Sequence, residues 1–117
     1  MTKKDNEYCY ELYNQLNVAL MRGNIDSLAE HISPDVYNEY KEKEIYLKNN
    51  KYKYIYNSNA YKITYKKIYA IEVAYILDKN NEVVEGDKIH KHITIKINYV
   101  KKEKTQDIVI TSIKKEA

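Results

Sequence analysis

Two histidines two residues apart come nearest in this chain to a ligand pair. On extended backbone His90 and His92 share one face, close enough to hold one metal ion if a neighbouring strand adds a third ligand. No cysteine or carboxylate stands beside them in ligand spacing, so two exposed histidines on a polar strand face are the expectation, with no metal and no cofactor. His31 suits the end of a short helix better than a catalytic base. The single cysteine, Cys9, lies between Tyr8 and Tyr10 with no His or Lys close in sequence, which points to a buried, inert thiol. No Ser-His-Asp set, glycine loop or paired zinc motif can be read from the chain, and no residue is assigned as catalytic.

The richer stretch runs from Lys48 to Tyr69. All 14 aromatic residues of the protein are tyrosines, and here they interleave with lysines while acids are absent. Residues 1–47 carry 5 basic and 9 acidic side chains, residues 48–69 carry 6 basic and none acidic, and residues 70–117 carry 9 and 8. The basicity is therefore local, and a local patch can steer an anionic partner although the whole chain is only +3. Tyr52, Tyr54, Tyr56, Tyr61 and Tyr65 are the candidate ligand or interface residues, and Lys51, Lys53, Lys62 and Lys66 the candidate basic face. Base stacking wants rings and cations on one exposed face. Strand parity sends Tyr52, Tyr54 and Tyr56 one way and Lys51 and Lys53 the other, so nucleic acid is the less favoured partner. An acidic protein, or simple protection of an edge strand by lysine, is favoured over it.

These residues are positioned by helices first and strands after. Cys9, Leu12, Tyr13, Leu16 and Leu20 recur at three- and four-residue steps as one helical face, and Gly23 after Arg22 stops that helix. Asn24 is expected to cap a short second helix, and Ser33-Pro34-Asp35 to start a third that frays after Glu44. From Lys51 the period becomes two. A strand at Tyr52–Tyr56, a turn at Asn57-Ser58-Asn59 and a strand at Tyr61–Tyr65 are expected. Ile68–Leu77 reads as a central strand, with Glu72 interrupting its outward side. Asp78-Lys79-Asn80-Asn81 is a turn, Ile89–Tyr99 a long half-buried strand, and Asp107–Lys114 the last. The fold class is α+β, three N-terminal helices (about 5–48) packed on a curved antiparallel sheet (about 50–115) in a single domain over 1–117.

The segment from Asn17 to Leu28, followed by Ser33-Pro34-Asp35-Val36, resembles the opening of the nuclear transport factor 2-like superfamily, and the order of elements is similar over nearly the whole chain. The resemblance implies a cystatin-like, cone-shaped fold, often dimeric. Its members include pocket enzymes, ligand binders and non-catalytic assembly domains of bacterial conjugation and secretion machines. With no carboxylate assigned to the inward side of any strand, the chain is read as non-catalytic. The expected function is protein binding or assembly by self-association through the sheet, as a homodimer or larger assembly. A mobile-element, conjugation or secretion context is the companion expectation, and the Lys/Asn/Ile/Tyr-rich composition fits an AT-rich bacterial source. The alternatives are a small-molecule pocket protein or an isomerase- or dehydratase-like enzyme using the cone interior, and nucleic-acid binding by residues 48–69. No membrane segment or signal peptide is read, so a cytoplasmic location is expected, and an extracytoplasmic one only for an excised domain.

Overall fold

The computed structural model describes residues 2–117. Helix α1 (Lys3–Arg22), a 3-10 helix (Ile25–His31) and helix α2 (Pro34–Asn50) precede four strands, β1 (Lys53–Ile63), β2 (Ile68–Leu77), β3 (Val83–Lys101) and β4 (Ile108–Glu116). The strands form one open antiparallel sheet in the order β1-β2-β3-β4, and the helices pack on one of its faces. The class is α+β, as the change from helical to alternating period predicts. Among the described residues no helix is long and apolar enough to cross a membrane.

The helix ends follow their local chemistry. Thr2 accepts the Asp5 N–H at the start of α1, and Gly23, in the left-handed region, donates its N–H to the carbonyls of Ala19 and Leu20 at the end. Asn24 makes no side-chain cap. Glu44 of α2 replaces it: its buried carboxylate accepts the Ile25 N–H at 2.8 Å and pairs with Lys41 at 2.9 Å. Burial works against that charge, yet the N–H and the ammonium hold Glu44 below the usual carboxylate range. Glu44 thus anchors the 3-10 helix rather than marking a frayed end, and α2 continues to Asn50, where Lys51 closes it with φ 56°.

The strand region departs from the expected five-strand pattern. Asn57-Ser58-Asn59 is not a turn. These residues stay paired with Val73, Glu72 and Ile71, and the Ser58 hydroxyl bonds Tyr10 Oη at 2.7 Å. The chain reverses instead at Thr64–Lys67, where Thr64 Oγ1 accepts the N–H groups of Lys66 and Lys67. A β-bulge between Ala60 and Lys62 inserts Tyr61 just before that reversal. The turn at Asp78–Asn81 is as expected, with Asp78 Oδ1 accepting from Asn80 and Glu82. β3 begins at Val83, six residues before the expected start.

The core lies between α1, α2 and the sheet. Tyr13, Leu16 and Ile25 meet Ile68, Ala70, Ile95, Ile97 and Ile110, all essentially inaccessible. Cys9 is buried there, and burial raises its thiol to about 12, so it stays protonated.

Candidate functional site

The helix-facing side of β2 reads Ile68, Ala70, Glu72, Ala74, Ile76. Its small alanines leave room for large rings from the helix. Tyr13 of α1 fills that room, is fully buried, and donates its hydroxyl to Glu72 Oε1 at 2.6 Å. Glu72 therefore faces inward, and the expectation that it interrupts the outward side is overturned. Lys115 Nζ lies 3.4 Å from Glu72 Oε2 and 5.7 Å above the Tyr13 ring. Burial beside that carboxylate and Tyr56 drives the Tyr13 hydroxyl far above its ordinary pKa, so it remains a donor. Burial, and then Lys115 nearby, lowers the pKa of Lys43, whose Nζ lies 5.5 Å above the Tyr54 ring.

A hollow of about 250 Å³ opens beside Glu72, with Ala74, Ile93 and the Asp87–Lys91 ion pair (2.9 Å) among its walls. It reaches the carboxylate from the side, because Tyr13, Leu16 and the isoleucines fill the space between helices and sheet.

The candidate tyrosines divide between the faces. Tyr54 and Tyr56 point inward and are buried. Tyr54 donates to Asn17 Oδ1 at 2.8 Å and Tyr56 to Asn14 Oδ1. Tyr52, just before β1, is half-buried with its ring edge-on to Tyr46. Tyr61 and Tyr65 are 58% and 54% exposed. Tyr61 faces outward by simple alternation from Lys53, with its ring 5.7 Å from His92 and 6.5 Å from Tyr69, and the bulge turns Lys62 to the same face. The candidate lysines are all exposed, but they serve different positions. Lys51 is the cap of α2, Lys53 and Lys62 stand on β1, and Lys66 sits in the Thr64–Lys67 turn, 5.4 Å above the Tyr65 ring.

The separation of tyrosines from lysines by parity holds at Tyr54, Tyr56 and Lys53. It fails at Lys62, which the bulge turns to the same outer face as Tyr61. Lys62, paired with Tyr69, places its Nζ 5.6 Å above that ring. Across β3 and β4 the same face carries Thr94 opposite Glu116, Lys96 opposite Lys114, and Asn98 bonded to Ser112 at 2.8 Å. Ion pairs among the described residues use Lys41, Lys48, Lys91, Lys101 and Lys115, and none involves Lys53, Lys62, Lys96 or Lys114.

His90 and His92 are both exposed, and among the described residues no group of three or more His, Cys, Asp or Glu side chains is placed to hold a metal. His31 ends the 3-10 helix. Glu72, Tyr13, Lys115, Tyr69, Lys96 and Lys114 were not among the sequence candidates. The small-residue spacing Ala70/Ala74 around Glu72 was the signal for the first two. Lys96 and Lys114 come opposite each other only through the register shift at Asn98/Tyr99, which no spacing in the sequence shows. No protein-family model matches the chain, and no curated protein sequence matches it.

Proposed function

We propose that the protein is a non-catalytic binding and assembly module that self-associates through the apolar end of the outer face of its sheet. One observation carries this reading. Both helices and the 3-10 segment pack on the inner face, and none of them on the outer one. There the half-buried Ile55 and Tyr75 and the exposed Val83, 41% accessible, form an apolar patch across β1, β2 and the start of β3, with Val73 and Leu77 buried beneath it. Apolar side chains reaching the surface of a sheet face that no helix packs on mark an interaction site. The order of elements supports a nuclear transport factor 2-like cone, a fold in which association through the sheet is common, and with it the bacterial assembly context.

Light scattering tests the reading. Wild type is expected at twice the monomer mass, and Ile55→Lys combined with Tyr75→Lys at the monomer mass with an unchanged far-ultraviolet dichroism spectrum. A wild type that stays monomeric at several hundred micromolar would refute it.

A second reading rests on the inward Glu72, the carboxylate that a pocket protein or isomerase-like enzyme needs, open to the hollow on one side. Tyr13 and Lys115 already satisfy both of its oxygens, which favours a structural role. A small cationic ligand that competes with Lys115, and whose binding Glu72→Gln abolishes, is what this reading requires.

A further inference from the structure

Lys96 and Lys114 are directly opposite each other on neighbouring strands, both exposed and neither in an ion pair. Like charges at opposed sheet positions are unfavourable. On the inner face the protein neutralises comparable lysines, giving Lys115 to Glu72, Lys91 to Asp87 and Lys101 to Asp5. On the outer face it leaves them bare. Glu116 is the carboxylate that the register adds there, at the last residue of β4.

On the same face, toward β1, Tyr61, Tyr69 and His92 stand in one aromatic cluster, flanked by Lys62, which the bulge turns outward. Thr94, Asn98 and Ser112 add neutral donors and acceptors between the cations. Rings, unneutralised ammonium groups and small polar side chains on one open sheet match the two requirements of a single strand, a stacking platform for bases and a cationic track for phosphates. An acidic protein would use the cations but would leave the exposed tyrosine and histidine rings without a role.

We infer that this basic, aromatic end of the outer face binds single-stranded nucleic acid. The site lies at the opposite end of the sheet from the apolar patch, and self-association leaves it open.

The test is a fluorescence-anisotropy titration of a labelled oligothymidylate at low salt, with a duplex of the same length and labelled polyglutamate as competing probes. Wild type is expected to bind the single strand in preference to the duplex, with affinity falling on a log–log salt plot at a slope of about −2 to −3, from roughly four lysine–phosphate contacts. Lys96→Glu with Lys114→Glu should weaken binding tenfold or more, and Tyr61→Ala at least about fivefold, as expected for one lost stacking partner. All these positions are exposed, and unchanged melting temperatures verify that the variants fold. Absence of oligothymidylate binding by wild type at low salt would overturn the inference. So would polyglutamate binding as tight as the oligonucleotide, or binding that Tyr61→Ala leaves intact, since either outcome assigns the face to an acidic protein.

Discussion

The two faces of one sheet use the same side chains to opposite ends. On the inner face Tyr10, Tyr13, Tyr54, Tyr56 and Tyr99 each have a hydroxyl partner on a distant element. Tyr13 meets Glu72, Tyr54 meets Asn17, Tyr10 meets Ser58, and Tyr99 donates to Asp5 at 2.9 Å. These bonds join α1 to the strands across the core, so an all-tyrosine aromatic set supplies both the apolar filling and the polar specificity of helix docking. On the outer face tyrosine and lysine stand exposed, with rings close to cations and no carboxylate holding Lys62, Lys96 or Lys114. A group satisfied within the fold stabilises it, whereas a group left unsatisfied at the surface is available to something else.

The sharpest way to break this contrast is to remove inner hydroxyls. Tyr13→Phe leaves Glu72 with one donor fewer in a buried setting and should cost about 1–3 kcal/mol by denaturant unfolding, whereas Tyr61→Phe should fall within about 0.5 kcal/mol of wild type. Equal costs for the two would dissolve the distinction. Gly86→Ala comes next. Gly86 has φ +74°, and an added Cβ would lie 2.5 Å from the Ala74 carbonyl oxygen, so the β2–β3 hairpin must shift. A loss of about 1–3 kcal/mol is expected, with faster amide exchange confined to that hairpin.

The pH dependence separates the same groups. Lys101 and the Tyr99 hydroxyl hold Asp5 below the usual carboxylate range, and Glu44 is also lowered. Their contribution is present above about pH 4 and is lost as pH falls through their folded values. Burial, then the bond to Asp5, raises Tyr99 to about 12, and burial raises Tyr13, Tyr54 and Tyr56 further. Their contribution is present below about pH 10 and is lost as pH rises beyond it. Tyrosinate absorbance from the inner tyrosines should therefore appear late, coincident with unfolding. Ionisation of Tyr13, Tyr54 or Tyr56 while the fold is intact would show that the inner hydroxyls are not held.

The smallest effect has an informative sign. Lys96→Glu replaces a like-charge pair by an opposite-charge one and should stabilise the fold by about 0.2–0.5 kcal/mol while weakening any anionic partner. A loss of stability would mean that Lys96 has a structural role.

The helices were legible in sequence because their spacing and caps are local. The Leu12, Leu16, Leu20 face, Gly23, and Ser33-Pro34 all stand where their chemistry demands. The central strand and the Asp78–Asn81 turn were legible for the same reason. The face of Glu72 was not. On β2 the bulkier set Tyr69, Ile71, Val73 and Tyr75 looks like the core side. The true inner set is Ile, Ala, Glu, Ala and Ile, its small residues making way for Tyr13 from a helix more than fifty positions earlier. Nor was the outer aromatic cluster legible, because the turn expected at Asn57–Asn59 broke the count between Tyr56 and Tyr61, and counting by twos cannot see the bulge that brings Lys62 outward. A one-residue slip exchanges the two faces, and with them the tyrosines that hold the fold and those that face solvent.

The most direct test of the outer face as the working surface is an amide chemical-shift map of the protein with an unlabelled oligothymidylate added at low salt. Shifts are expected to cluster at Tyr61, Lys62, Tyr69, His92, Lys96 and Lys114, with Tyr13, Tyr54 and Tyr56 unmoved. Shifts centred instead on Glu72, Lys91 and Ile93, or none at all, would contradict it.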